Sequence, residues 1–297
     1  KKMSDLDSCD NSWRAFQIAF FLLSIQSLVE KDSLDRETVD LIWFPTGGGK
    51  TEAYLGVAAF QMFYRRLLDP NDAGVDIIMR YTLRLLTADQ FQRASRLICA
   101  MEYVRRENEN VLGSIPYSIG IWVGSKTSPN DNREALRQLS SMSKSKGPEN
   151  LVVTRCPWCG CQIGKVEVKG KGVKRNESKV IGFKNKNNRL IVTCPDNQCN
   201  FHDEIPVYFV DETIYEKQPT FLIGTIDKFV QLTWKPEARK LFGLNESGKR
   251  IVSPPQIIVQ DELHLISGPL GTLAGLYEVL IEELCIDDRS GVPIKPK

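Results

Sequence analysis

Residues 44–52, FPTGGGKTE, decide the fold class of this chain. The residues just before them, DLIWF at 40–44, form an apolar run, and residues 50–68 have the hydrophobic periodicity of a helix. A strand, a glycine-rich turn, Lys-Thr and a helix are the context that a phosphate-binding loop requires. The stretch therefore predicts an α/β protein that binds a nucleotide, with DLIWF as a buried strand.

Each residue type in the loop has a chemical role. Backbone N–H groups in the turn and the dipole of the following helix attract an anion, and glycines let the backbone approach it closely. We expect Lys50 to reach the β- and γ-phosphates and the Thr51 hydroxyl to ligate magnesium. Phe44 stands where the general pattern GxxxxGK[ST] has glycine. The loop residues predicted to surround the phosphates of ATP are Thr46, Gly47, Gly48 and Gly49.

Apolar runs alternate with helical patterns along most of the remaining chain. Strand-like runs at 75–81, 117–124, 219–225 and 256–260 are separated by stretches with helical periodicity. This rhythm predicts a parallel sheet covered by helices. It breaks between about residues 150 and 206, so we expect one domain built from 1–149 and 207–297 with an inserted module at 150–206.

The inserted segment contains five of the eight cysteines, in CPWCGC and CPDNQC. A CxxC pair and a CxxxxC pair can close a tetrahedral site of four thiolates, and zinc is the expected metal. An Fe–S cluster also takes four thiolates. Because such a site leaves no open coordination position, we expect the zinc to be structural. The predicted ligands are Cys156, Cys159, Cys194 and Cys199, with Cys161 and His202 as spare candidates.

Composition and charge limit the cellular compartments and the partners that are expected for this protein. The formal net charge is only +2, so no overall field draws the protein to nucleic acid or to a membrane. No stretch approaches the roughly 20 apolar residues that cross a bilayer. Clustered cysteines without an export signal indicate a reducing compartment, and we expect a cytoplasmic protein. The basic stretch at 165–189 either contacts phosphates or is a solvated loop.

A nucleotidase also needs a carboxylate at the end of a neighbouring strand. Two Asp-Glu pairs follow apolar runs, VYFVDE at 207–212 and IIVQDELH at 257–264. We favour the second and expect the first to be an ordinary strand end. Asp261 would hold magnesium through water, Glu262 would activate the attacking water, and His264 would couple the nucleotide site to a neighbouring domain or to nucleic acid.

PTGGGKTEAYL together with DELH resembles the superfamily 2 helicases and translocases of the DExH type. The resemblance implies a RecA-like first motor domain with a zinc-ribbon insertion, and it covers most of the chain outside that insertion. In WRAFQ, Gln17 would read the adenine base. RYTLRLLTADQFQR and GTIDKF resemble elements that face the nucleic acid, through Thr82, Arg84, Thr225 and Asp227.

The longer string QDELHLISGPLGTLAGLYE narrows this resemblance to the helicase subunit of the DISARM antiphage system. It implies ATP and Mg2+ as cofactors, DNA as the nucleic acid, a second RecA-like domain that supplies arginine fingers, and a partner subunit. We therefore expect an excised first motor domain that hydrolyses ATP poorly alone. Two alternatives stay open. One is a zinc-stabilised nucleic-acid-binding or assembly module with a vestigial nucleotide site, and the other is an ATPase whose client is a protein.

Overall fold

The computed structural model of the chain describes residues 12–43, 48–81, 84–124, 128–142, 152–167, 178–266 and 268–297. Its strands are β1 (Ile77–Tyr81), β2 (Ile119–Trp122), β3 (Gly164–Glu167), β4 (Ser178–Ile181), β5 (Phe183–Lys186), β6 (Arg189–Val192), β7 (Val207–Tyr208), β8 (Phe221–Thr225) and β9 (Ile257–Gln260). Five of them form one parallel sheet in the order β7-β2-β8-β1-β9. The other four pair as two antiparallel hairpins, β3–β4 and β5–β6.

Helices cover this sheet. They are α1 (Ala15–Val29), α2 (Lys50–Leu68), α3 (Arg84–Glu107), α4 (Glu109–Leu112), α5 (Asn132–Met142), α6 (Asp211–Lys217) and α7 (Gly268–Cys285). Short 3-10 segments occupy Leu34–Glu37, Ile226–Thr233, Pro236–Phe242 and Leu263–Leu265. The α/β fold with a central parallel sheet is confirmed. None of the described helices is both long and apolar enough to span a bilayer.

Both faces of the sheet are buried, which is why its strands read as nearly continuous apolar runs. In β1, Ile77 and Met79 pack into one core, while Ile78 packs into a second core on the opposite face. The same alternation in β2 sends Ile121 to the first core and Trp122 to the second. Strands with this pattern can only be stable between two layers of helices.

The prediction that DLIWF forms a buried strand is wrong for the part of it that the structure describes. Residues 40–43 form no strand, and Leu41 and Trp43 are 74% and 85% exposed. The backbone of Lys297 lies against the free edge of β9, where Ile258 N donates to Lys297 O at 2.8 Å. The Lys297 ammonium reaches outward to Asp40, 3.2 Å away. Lys297 therefore pairs with the edge of β9 at Gln256 and Ile258, and its side chain contacts the start of the predicted strand.

The cysteine-rich segment is packed into the main domain. Val153, Val192 and Phe201 belong to the same buried core as one face of the sheet. The segment docks on α3, where Tyr103 stacks on Trp158 with ring centroids 5.2 Å apart. Its core is thus continuous with that of the sheet, while the predicted boundaries at residues 150 and 206 stay a prediction.

Candidate nucleotide and metal sites

The phosphate loop leads directly into α2. Of its predicted residues, Thr46 and Gly47 lie outside the described part of the chain. Gly49 has φ of 90°, a left-handed conformation that favours glycine, and α2 begins at the next residue, the half-buried Lys50. The helix N-terminus that the sequence predicts behind the loop is therefore in place.

The N-terminus of α1 lies against this loop. The Gln17 side-chain amide donates to Gly49 O at 2.8 Å, and its carbonyl accepts from Arg14 N at 2.8 Å. The Arg14 guanidinium donates to Gly48 O at 2.7 Å. Gln17 is only 6% exposed, so its polar groups are used inside the protein. The adenine-reading role of Gln17 stays a prediction, and in this conformation the side chain is hydrogen-bonded to Gly49 at the end of the loop.

The carboxylate at the end of β9 meets the phosphate-loop helix. The Tyr54 hydroxyl lies 3.1 Å from Asp261 Oδ2 and 3.2 Å from Thr51 Oγ1. Asp261 Oδ1 accepts from the backbone N–H of Glu262 at 2.9 Å. The two predicted magnesium ligands thus contact one shared hydroxyl. A threonine hydroxyl and a carboxylate are hard oxygen donors, the ligand type that Mg2+ prefers, so this donor set fits the ion.

The next residues of the DExH motif form a pair of their own. Glu262 has φ of 50°, which is uncommon for a non-glycine residue and of a kind that clusters at functional sites. Its Oε2 lies 3.3 Å from Nδ1 of His264, whose side chain is 72% exposed. Asp261 therefore faces α2, whereas the Glu262 carboxylate contacts the exposed imidazole.

The four residues predicted to contact nucleic acid differ in how much of them the structure describes and in their exposure. Thr82 lies outside the described part of the chain, and Arg84 begins α3 without a described side chain. Thr225 ends β8 and is 1% exposed, and its hydroxyl has no hydrogen-bond partner among the described residues. Asp227 is exposed on the following 3-10 segment. The structure brings Asp227 to the surface and keeps the Thr225 side chain inside, so a nucleic-acid role for either stays a prediction.

The other Asp-Glu pair, Asp211 and Glu212, makes its contacts away from the phosphate loop. Asp211 is fully buried, and its Oδ2 lies 2.7 Å from the Lys228 ammonium. Glu212 Oε2 accepts hydrogen bonds from both the backbone and the side-chain nitrogen of Asn132, each at 2.9 Å. These contacts tie α6 to the segment after β8 and to α5. They are consistent with the choice of Asp261 and Glu262 as the acidic motif.

Four cysteine sulfurs converge in the docked segment. Cys156, Cys159, Cys194 and Cys199 have sulfur atoms that all lie within 4.8 Å of one another. The separation is 3.9 Å between Cys156 and Cys199 and 3.4 Å between Cys159 and Cys194. A tetrahedral site with Zn–S bonds of about 2.3 Å places its sulfurs about 3.8 Å apart. The four predicted ligands therefore fit a zinc ion.

The two spare candidates lie outside this group. His202 Nδ1 is 2.9 Å from Cys194 O, so this ring contacts the knuckle backbone. Cys161 has its sulfur near the carbonyl oxygen of Gln162. Burial raises the pKa of the Cys156 thiol to about 12. Since thiolates are the metal-binding form, a bound cation is what would keep this buried thiol deprotonated.

The comparison with known proteins agrees with the motifs. No family model matches the chain. The chain is 40% identical to the DISARM protein DrmA of Bacillus paralicheniformis over an alignment of 324 positions. The chain resembles a DISARM protein. The alignment covers 96% of the chain and 28% of DrmA, so the chain spans just over a quarter of the length of that relative. The resemblance predicted from the phosphate loop and the DELH string is confirmed.

Tyr54 is the main contact that sequence reasoning missed. It lies three residues after Thr51, a spacing that places two side chains on one face of a helix. That signal is readable in the sequence, but an aromatic residue at this spacing is more often a plain core residue. Only the contact with Asp261, which lies 207 positions further along the chain, distinguishes the two.

Proposed function

We propose that the chain is the ATP-binding first motor domain of a nucleic-acid helicase or translocase that acts on DNA in antiphage defence. The observation that carries the proposal is the contact of one hydroxyl with both Thr51 and Asp261. It joins the phosphate-loop helix to the DExH strand, the juxtaposition that phosphoryl transfer needs. The similarity to DISARM protein DrmA supports the defence context.

In this proposal each site residue has one task. Magnesium, when bound, neutralises charge on the phosphates and would be held through Thr51 and Asp261. Lys50 binds the β- and γ-phosphates, and the loop N–H groups orient them. Glu262 accepts a proton from the attacking water. The exposed His264 imidazole contacts the Glu262 carboxylate and would couple the nucleotide site to a neighbouring domain or to nucleic acid.

The proposed partners follow from the geometry of motor domains that resemble this one. A second RecA-like domain of the same longer protein would cover the nucleotide and supply arginine fingers. Nucleic acid would lie across both domains, and a defence complex would add a partner subunit. Because those arginines would come from the second domain, we expect the chain by itself to bind ATP and to hydrolyse it slowly.

Replacing Lys50 with alanine is expected to weaken Mg·ATP binding about 10- to 100-fold, because it removes a charge-assisted hydrogen bond to the phosphates. Isothermal titration calorimetry with a non-hydrolysable ATP analogue measures this. The matched control is Lys31→Ala, at an exposed turn after α1. Equal affinity in the wild type and Lys50→Ala would contradict the nucleotide role and favour the zinc-stabilised binding module.

Replacing Glu262 with glutamine separates binding from chemistry. The variant is expected to bind Mg·ATP like the wild type and to hydrolyse it at least about 100-fold more slowly, because the proton acceptor is lost. Hydrolysis is measured with and without single-stranded DNA. Stimulation by DNA in the wild type supports the nucleic-acid motor, whereas turnover indifferent to DNA and RNA favours a protein client.

A further inference from the structure

We infer that Tyr54 is a positioning residue for magnesium, which holds Thr51 and Asp261 in the relative orientation that the ion needs. The inference rests on the proposed function and adds a residue to which the predicted motifs assign no role. It is carried by the geometry of one hydroxyl, which touches the phosphate-loop helix and the DExH strand at once.

The Tyr54 ring is fixed before any ligand arrives. The residue is 9% exposed and belongs to the core between α2 and the sheet. Its hydroxyl lies 3.5 Å from the hydroxyl of Tyr81, which is 1% exposed at the end of β1. A ring held on both sides by the core cannot move its hydroxyl without disturbing helix and strand packing. The oxygen therefore serves as a fixed point between Thr51 and Asp261.

The Tyr54 hydroxyl can orient both magnesium ligands because it can accept one hydrogen bond and donate another. A threonine hydroxyl that ligates a cation through its lone pair must donate its proton to another acceptor. In the structure the Tyr54 hydroxyl can donate either to Thr51 Oγ1, 3.2 Å away, or to Asp261 Oδ2, 3.1 Å away. When Thr51 ligates a cation, rotation of the two hydroxyl protons lets Thr51 donate to the Tyr54 oxygen while Tyr54 donates to the Asp261 carboxylate. Each donor then has one acceptor, and both magnesium ligands are oriented by the same group.

The protonation state of Tyr54 agrees with a donor role. Burial, and secondly the negative charge of Asp261, raise the pKa of this phenol well above its usual range. A phenol keeps its proton at neutral pH, so the Tyr54 hydroxyl can donate a hydrogen bond. On the far side, the Tyr81 hydroxyl is 3.4 Å from Met79 Sδ, a weak acceptor. The Asp261 carboxylate is therefore the strongest acceptor within reach of Tyr54.

A purely structural role makes a different prediction. If Tyr54 only fills the core, Tyr54→Phe should change stability slightly and leave magnesium untouched, since the ring is retained. The matched control is Tyr117→Phe. Tyr117 is also buried, and its hydroxyl donates to Met62 O of α2 at 3.2 Å, without contact to either proposed ligand. Both variants lose one buried hydroxyl, and only one of them loses the link to Asp261.

The test measures binding of a fluorescent ATP analogue while magnesium is titrated, and again in excess EDTA. For Tyr54→Phe we expect the magnesium concentration at half-maximal binding to rise about 10-fold, as for other groups that orient metal ligands. Binding in EDTA should equal that of the wild type. Tyr117→Phe should keep the magnesium dependence of the wild type, whatever its thermal stability.

The outcomes separate the inference from the proposed function. A wild-type chain that binds the analogue no better with magnesium than in EDTA overturns the magnesium site and, with it, the role of Tyr54. A wild-type chain that responds to magnesium, combined with an unchanged response in Tyr54→Phe, overturns the inference alone. An equal shift in Tyr54→Phe and Tyr117→Phe also overturns it, because the effect would then be general loosening of the core.

Discussion

Replacing Cys194 with serine is expected to remove zinc from the protein and to unfold the cysteine-rich segment. Structural zinc contributes roughly 10–16 kcal/mol of apparent binding free energy in small domains, and that energy is folding free energy. Here the sulfur of Cys194 is buried and lies 3.4 Å from that of Cys159. Loss of one of four thiolates leaves an incomplete site, and we expect a loss of unfolding free energy on the order of 5 kcal/mol.

The effect should reach beyond the segment itself. Cys156 and Phe201 are buried in the same core as the sheet, and Arg106 of α3 lies over the Phe201 ring at 4.7 Å. Cys99 is 0% exposed in this core. In Cys194→Ser, a thiol reagent is therefore expected to label Cys99, which peptide mass spectrometry detects. Thermal unfolding and the zinc content per chain complete the measurement.

Cys161→Ser is the matched control, because it makes the same substitution in the other knuckle, at a cysteine outside the four-sulfur group. It should retain one zinc per chain, the thermal stability of the wild type and an unlabelled Cys99. Loss of zinc in Cys161→Ser, or one tightly bound zinc in Cys194→Ser, would show that the ligand set is different from the four converging sulfurs.

The elements that the sequence predicts correctly are those marked by a pattern of neighbouring residues, such as apolar periodicity or cysteine spacing. The helix predicted at 50–68 is α2, because a glycine-rich turn starts it and the apolar periodicity continues to Leu68. The apolar run at 75–81 contains β1. The four zinc candidates were fixed by spacing, since two knuckles can supply only a few combinations of ligands. Short-range patterns therefore gave most of the fold and the metal-binding group.

The elements that sequence reasoning missed depend on distant neighbours. DLIWF has the composition of a strand, but composition does not reveal whether a strand edge is free, and Lys297 lies against the nearest one. The motif assigns Thr225 to nucleic acid, a role that stays a prediction, but it does not reveal that the packing around β8 buries this side chain. The contact of Tyr54 with Asp261 joins residues far apart in the chain. Such facts are set by tertiary packing, which no local pattern records.

The buried ion pair between Lys228 and Asp211 is the second feature with a large expected effect. The two side chains are 3% and 0% exposed, and their charged atoms are 2.7 Å apart. Lys228→Ala leaves the Asp211 carboxylate buried without its cation. Breaking a buried pair from one side costs about 3–5 kcal/mol, because the remaining charge is desolvated and uncompensated. Urea unfolding of the variant and the wild type measures the loss.

The control for this prediction is an exposed pair of the same chemistry. Lys240 and Glu246 are 3.1 Å apart, and the Glu246 side chain is 86% exposed. Lys240→Ala should cost less than about 1 kcal/mol, because water already screens that pair. If Lys228→Ala cost no more than Lys240→Ala, the buried pair would not hold α6 to the segment after β8.

A double substitution tests whether the cost comes from the stranded charge. Asp211→Asn retains a polar side chain that can still reach the Ser128 hydroxyl, 3.3 Å from Asp211 Oδ1. Combined with Lys228→Met, it removes both charges and keeps much of the buried volume. Since a neutral, well-packed replacement of a buried pair is often tolerated, the double variant should be more stable than Lys228→Ala by about 1–3 kcal/mol. Strictly additive losses would instead mean that the two side chains stabilise the fold independently, through packing and the ring contact of Lys228 with Trp122.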